Sequence, residues 1–220
     1  MSEKPILFYG EMVRAILEGC KTQTRRIVKP QPDKCGLVRE LVTGRWYGRF
    51  SCGKEYRAPY NEGDILYVRE TFRPAWTEEL ADAVQYRADN VVRPVDVENT
   101  AEGSQHHRFN LAFQWGEKCE CAYNDNGENI ARWIPSIHMP KWAARIWLKV
   151  TKIRPQALRD ISERDEIAEG VRWCENVIPT DPRFVTPRGA FERVWKSCYG
   201  KQSWKSNPWV WVIEFERVEK

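Results

Sequence analysis

The feature that most restricts the fold is a pair of alternating apolar and polar runs separated by two helical segments. Ala144, Ile146, Leu148 and Val150 alternate with Arg145, Trp147, Lys149 and Thr151, and WVWVIEFERV at Trp209–Val218 repeats the pattern. A period of two is the signature of a strand with one buried face. Between these runs, Ile161–Glu169 opens with Ser162 and Asp165 in a capping arrangement and stops at Gly170. Gly189–Tyr199 then places Phe191, Val194, Trp195 and Cys198 on one helical face. Strand, helix, helix, strand is not a βαβ repeat. The pattern predicts an α+β fold, with a curved or barrel-like sheet and helices packed at its ends.

The N-terminal half adds to that frame. Met12, Val13, Ile16 and Leu17 recur at helical spacing within Glu11–Glu18, and Gly19 follows where helices end. Lys21–Val28 reads as a strand closed by Pro30 and Pro32. LVRELV and RWYGRF, within residues 33–60, read as a small hairpin. After the NEGD turn, Ile65–Phe72 reads as a strand with Ile65, Tyr67 and Arg69 on one face and Leu66, Val68 and Glu70 on the other. From Pro74 to about Arg132 the chain is polar and rich in Asn, Glu and Gly, with a helical stretch expected at Glu78–Tyr86. Residues 1–220 therefore read as a single domain whose insertion, at about 74–132, forms a subdomain or lid.

Composition excludes several classes. In 220 residues, 42% hydrophobic and 30% charged residues make a globular chain rather than a disordered one. No apolar run approaches the roughly 18–20 residues of a membrane span. Glu3, Lys4, Glu11 and Arg14 interrupt every apolar stretch at the start, so no signal-peptide layout is present and a cytoplasmic location is expected. Lys and Arg number 35 against 31 Asp and Glu, and this +4 permits nucleic-acid binding without requiring it. Eleven Trp residues exceed what a core of this size ordinarily uses, leaving some to stack on flat ligands. The sequence has no G-x-x-x-x-G-K-[ST], G-x-G-x-x-G or G-x-S-x-G, which disfavours P-loop, Rossmann and α/β-hydrolase chemistry.

One segment concentrates chemical potential. GCKTQTRR, Gly19–Arg26, sets a lysine, two threonines and two arginines at a helix-to-strand junction. Crowded cations favour an anionic visitor, and Arg suits bidentate phosphate contacts. A lysine that is partly buried beside arginines has its neutral form favoured and serves as a base, with a threonine in reach as nucleophile. The competing reading is a solvated basic strand edge, the commoner origin of such runs. Geometry adds a condition. Lys21 and Thr24 are an odd number of residues apart, so they meet only if Lys21 precedes the strand or a bulge intervenes. Glu163, Asp165, Glu166 and Glu169 share the following short helix, either as a solvated acidic face or with Glu169 turned towards the basic cluster.

Seven cysteines, an odd number without an export signal, indicate reduced thiols. Cys119 and Cys121 form C-x-C, with Cys35, Cys52, His106 and His107 as conceivable partners. That spacing is tighter than the C-x(2–4)-C of structural zinc, so free buried thiols are the preferred reading. His138, a lone histidine beside a proline motif, reads as structural.

ILEGCKTQTRR, GDILYVRETF, ISERDEIAEG and the closing WVWVIEFERV together resemble the ASCH domain, a member of the PUA-like superfamily. Gly19, Lys21 and Arg26 match that family's G-x-K-x-x-x-x-R element. WIPSIHMP, at Trp133–Pro140, resembles the end of the insertion in long phage and prophage versions. The resemblance covers about half of the chain in four segments. It implies a PUA-like small β-barrel with flanking helices, a large inserted region and a cleft that takes RNA or a modified nucleobase. Some relatives remove the acetyl group of N4-acetylcytidine with a Lys, Thr and Glu set. The matching positions are Lys21, Thr24 and Glu169, with Glu166 as a rival for the acid. The substrate-binding set would be Gly19, Arg25, Arg26 and, on the Ile65–Phe72 strand, Arg69. No metal or other cofactor is implied. The expected partner is a modified nucleoside or RNA, and no membrane. A base- or RNA-binding module without catalysis, and a metal-independent ribonuclease, are the other functions the same cleft would serve.

Overall fold

The computed structural model describes residues 2–32, 38–39, 46–49, 55–76, 82–94, 124, 126–171 and 186–220. The architecture is mixed α+β, with sheets dominating and few helices among the described residues. A five-stranded sheet runs in the order β1 (Glu3–Leu7), β6 (Ile65–Arg69), β10 (Trp147–Ala157), β11 (Trp209–Val218), β2 (Gln23–Ile27). Two three-stranded sheets accompany it. One contains β3 (Val38–Arg39), β4 (Trp46–Arg49) and β5 (Glu55–Arg57), and the other β7 (Phe72–Trp76), β8 (Asp82–Tyr86) and β9 (Val92–Pro94). The helices are α1 (Gly10–Leu17), α2 (Glu163–Ala168), α3 (Pro187–Tyr199) and α4 (Lys201–Lys205).

The chain divides into two units. The first holds Met1–Lys4, Ala15–Leu66 and Leu148–Lys220. β2 and β11 pair antiparallel in it, with Thr24 opposite Ile213 and Arg25 opposite Val212. Its core gathers Leu158, Ile161, Phe191, Trp195, Val210 and Val212, so α3 packs on β11 through the face that its periodicity specifies. Thr186 caps α3, accepting the Gly189 N–H, and Pro187 fills the first turn where no N–H partner is needed.

The second unit holds Pro5–Arg14 and Tyr67–Trp147. Phe72, Val84, Tyr86, Met139 and Ala143 form its core. The WIPSIHMP motif serves this core. Ile134 bridges Phe72 through two backbone hydrogen bonds, of 2.7 and 3.2 Å, and the buried Met139 thioether accepts the Glu70 N–H. Glu70, 1% exposed, receives a two-pronged contact from Arg145 (2.8 and 2.9 Å), whose other edge holds Asp89 (2.8 and 3.0 Å). The same guanidinium lies 4.0 Å over the Tyr86 ring. Burial pushes the Tyr86 phenol up to about 12, and its hydroxyl donates to the Ala143 carbonyl.

Several expectations need correction. Asp82–Tyr86 is a strand, not the end of a helix over 78–86, and residues 77–81 lie outside the described residues. Five paired positions on β7, from Phe72↔Tyr86 to Trp76↔Asp82, override local propensity. Phe72 begins β7 instead of ending the preceding strand. The strand expected over 144–151 runs from Trp147 to Ala157, continuing through Pro155. The small hairpin has a third strand, β5. β1 was not visible in the sequence, because only Ile6 of its five residues is buried and no alternation marks it.

Candidate functional site

The first unit brings the ends of two helices onto the residues that precede β2. Gly19, at φ 76°, ends α1 in a Schellman arrangement: its N–H reaches the Ile16 carbonyl (3.1 Å) and the Cys20 N–H reaches Ala15 (2.9 Å). The Lys21 N–H joins the same Ala15 carbonyl at 3.0 Å. α2 begins at Ser162, whose hydroxyl accepts the Asp165 N–H, and ends at Glu169. Gly170 follows at φ 73°, and a β-carbon there would lie 2.6 Å from Lys21 Cβ and 2.9 Å from Ala15 Cβ. Only glycine fits so close an approach. An isolated antiparallel bridge joins Lys21 to Glu169, and the Thr22 N–H donates to Ala168 O (2.9 Å). Lys21 thus precedes the strand, which begins at Gln23.

Around it lies a chain of alternating charge, buried at its Lys21 end and half-buried at its outer end. Lys21 Nζ donates to the Glu169 carboxylate and to the Glu169 carbonyl, each at 2.8 Å. The other Glu169 oxygen accepts from Arg25 Nη1 at 2.8 Å. Arg25 Nη2 reaches Asp165 (3.1 Å), Asp165 accepts from Arg154 (2.8 Å), and Arg154 reaches Glu214 (3.5 Å). Gln23 and Gln156 fill the gaps, each accepting from Arg25, at 2.6 and 3.2 Å. The capping box at Ser162 is therefore half formed, because the Asp165 carboxylate turns to Gln23, Arg25 and Arg154 instead.

Burial decides the electrostatics. Lys21 is 2% exposed, and burial pulls its ammonium below the ordinary lysine value. Glu169 opposes that shift through its charge and hydrogen bond, while Arg26 and Arg25 reinforce it. Burial works upward on Asp165, but hydrogen bonds from Arg154 and Gln23 and the charges of Arg25 and Arg154 hold its carboxyl below the usual range.

Thr24 is 1% exposed, and its Oγ1 accepts from Arg26 Nη1 at 2.8 Å. The same Nη1 also donates to the Arg25 carbonyl (3.1 Å). Arg26 also hydrogen-bonds the Tyr199 hydroxyl, on the last turn of α3. Burial raises the Tyr199 phenol against the pull of Arg26, and its ring stacks on Trp195 with centroids 4.3 Å apart. Arg26 thereby links a buried threonine oxygen to an aromatic helix end.

Of the two acidic candidates, both buried, Glu169 meets Lys21, while Glu166 pairs with Arg188. Arg25, expected as a substrate ligand, stands inside the charge chain. It is 2% exposed, and both its terminal nitrogens are taken by protein oxygens, because α2 covers that face of β2 with carboxylates. It positions Glu169 and Asp165. Gly19 supplies the turn, with open space around it. Arg69 belongs to the second unit, where its guanidinium donates to the Ile137 carbonyl. Cys35, Cys52, His106, His107, Cys119 and Cys121 lie outside the described residues, and among those described no His, Cys, Asp and Glu group is arranged to hold a metal. Sequence reasoning missed Gln23, Arg154, Gln156 and Tyr199. Arg154 and Gln156 are two apart on one strand, a signal that gains meaning only once Asp165 is known to face them.

No family model, curated protein or solved structure matches the chain. The charge chain and its threonine must be read on their own chemistry. Among the described residues, no helix is long and apolar enough to cross a membrane.

Proposed function

We propose that the chain is an amidohydrolase that removes the acetyl group from N4-acetylcytidine or a related N-acylated base. The five-stranded sheet would belong to a PUA-like barrel, and residues of about 74–132 would form a subdomain inserted into a single domain. The observation that carries this reading is the buried Lys21–Glu169 pair, placed just before a strand that buries Thr24. Burial favours the neutral amine that a general base requires.

In the proposed reaction, neutral Lys21 takes the Thr24 hydroxyl proton, and Thr24 Oγ1 attacks the acetyl carbonyl. Arg26 already donates to that oxygen, so a cation stands where negative charge gathers on the threonine and the neighbouring oxyanion. Lys21 then gives its proton to the departing cytosine amine, with Glu169 fixing the ammonium through two hydrogen bonds. Water hydrolyses the acetyl-threonine ester, releasing acetate and restoring the hydroxyl. Tyr199 stands beside Arg26 as a flat surface for the base.

A second reading, a base- or RNA-binding module, draws on one further observation. The first unit carries 25 Lys and Arg against 18 Asp and Glu, so 25 − 18 = +7, which is more basic than the whole chain.

Incubation of the purified protein with N4-acetylcytidine, followed by chromatography for cytidine, tests the amidohydrolase. Conversion by the wild type and none by Lys21→Ala is expected. Full activity in a folded Lys21→Ala protein would overturn the mechanism. No conversion by folded wild type, together with salt-sensitive RNA binding, would favour the binding module.

A further inference from the structure

Arg25 is a poor filler of the place it occupies. It is buried on β2, with its guanidinium 5.7 Å from the centroid of the Phe191 ring and its Nε without a hydrogen bond among the described residues. Glu169 and Gln23 accept from its Nη1, Asp165 and Gln156 from its Nη2. A buried cation with an unpartnered N–H stabilises a core poorly, and an apolar side chain of similar volume would pack on Phe191 at least as well. An apolar side chain would not, however, bind Glu169. Lys21 holds one oxygen of that carboxylate and Arg25 the other, each at 2.8 Å, so the two cations stand one carboxyl group apart. Behind Arg25 comes Asp165, which accepts from Nη2 at 3.1 Å and is itself held by Arg154 from β10 at 2.8 Å.

The charges that bear on Lys21 are Glu169, at the end of α2, and Arg26 and Arg25 on β2. Arg26 is engaged with Thr24, whereas Arg25 reaches Lys21 across Glu169. We infer that Arg25 and Asp165 are positioning residues for Lys21: Arg25 shares Glu169 and so loosens its hold on the lysine proton, and Asp165 keeps Arg25 from taking that carboxylate alone. The inference rests on the reading of Lys21 as a general base, which must be neutral to act. A carboxylate held by a lysine alone favours the ammonium, and a second cation on its other oxygen offsets part of that preference. Asp165 moderates the offset, so that Glu169 still fixes the lysine in place.

The test follows Lys21 itself. Full-length protein isotopically labelled in its lysine side chains is titrated with base by NMR, and the Lys21 resonance is the one absent from Lys21→Met. Arg25→Met should raise the proton affinity of Lys21 about 10-fold, and Asp165→Asn should lower it about 3-fold. Glu163→Gln, which loses the same charge from an exposed position on the same helix, should change it less than about 1.5-fold. In an Arg25→Met background, Asp165→Asn should also change it less than about 1.5-fold, because Asp165 acts through Arg25. Side chains that merely support the fold would lower the urea midpoint and leave the lysine titration where it was. If Arg25→Met does not fold, Asp165→Asn against Glu163→Gln decides the matter. The inference is overturned if Arg25→Met fails to raise the affinity, if Asp165→Asn matches Glu163→Gln, or if Asp165→Asn acts as strongly without Arg25 as with it. The titration needs no substrate, so the two claims fail separately. Unmoved titrations in an enzyme that hydrolyses N4-acetylcytidine overturn the positioning role alone, and moved titrations in a protein that leaves N4-acetylcytidine intact overturn the reaction alone. In an active enzyme the pH–rate inflection should move with the titration, upward for Arg25→Met and downward for Asp165→Asn.

Discussion

Replacing Glu169 by Gln should damage the first unit far more than replacing Lys21 by Met, although the two side chains form one ion pair. The asymmetry follows from the count of partners. Glu169 serves two buried cations, each at 2.8 Å, and both are 1% exposed at the side chain. Glu169→Gln strands both, and an uncompensated buried charge costs about 3–5 kcal/mol. Lys21→Met removes one cation that already bears a desolvation cost and leaves Glu169 paired with Arg25. Its cost should stay under about 1.5 kcal/mol, in the range of a volume-conserving swap. With a urea m-value of about 2 kcal/mol/M, the midpoint should fall by about 1.5–2.5 M for Glu169→Gln and by less than about 0.8 M for Lys21→Met. The pH dependence carries a sign. Lys21 has a folded value below its unfolded one, so the unfolded chain binds more protons between the two, and stability rises with pH across that window. Glu169 is what opposes the lowering, so its loss widens the window downward. The deficit of Glu169→Gln should be full at low and neutral pH and shrink as pH rises through the folded Lys21 value, above which Lys21 is neutral in both proteins. Equal midpoints for the two variants, or a deficit that grows with pH, would refute this account of the cluster.

Three further outcomes follow from the geometry. Gly170→Ala puts a methyl 2.6 Å from Lys21 Cβ at φ 73°; the combined strain and overpacking of about 3 kcal/mol should lower the melting temperature by about 6–12 °C, whereas a shift under about 2 °C would count against the close approach. Arg145→Leu leaves Glu70 buried without its cation, at a cost of about 3–5 kcal/mol. Burial already raises Glu70, and losing Arg145 raises it further, so the deficit should be greatest at neutral pH and fall as the pH drops and Glu70 takes up a proton; melting curves at pH 5 and 7 read this directly. If hydrolysis of N4-acetylcytidine is found, its kcat/KM should climb with pH to an inflection below the ordinary lysine value, and Glu169→Gln should move that inflection lower, in a pH–rate profile.

Where a segment carries its own periodicity, the sequence was a good guide. β11 occupies Trp209–Val218 as its alternation indicates, and the Ser162 cap and Gly170 stop delimit α2. Asp82–Tyr86 misled because its identity as a strand depends on five partners on β7, which no local pattern shows. The candidate site was half legible. Lys21, Thr24 and Glu169 stood out as residue types at a junction, but the role of Arg25 did not. Alternation along β2 suggests one buried face, yet Gln23, Thr24 and Arg25 are all buried, because α2 covers the side that an edge strand would leave to solvent. That covering comes from a segment more than 130 residues away in sequence.

The run Lys21, Glu169, Arg25, Asp165, Arg154, Glu214 has a parity. Each ion has neighbours only of the opposite sign, so neutralising an interior member leaves its two flanking ions, which are alike, facing each other across the gap. Deleting two adjacent members restores the alternation and removes as many positive charges as negative ones. In a library of paired substitutions, survivors should therefore cluster at neighbouring positions of this run, such as Asp165 with Arg154. Single changes should be tolerated best at its outer end, where Glu214 is a third exposed and has only Arg154 beside it.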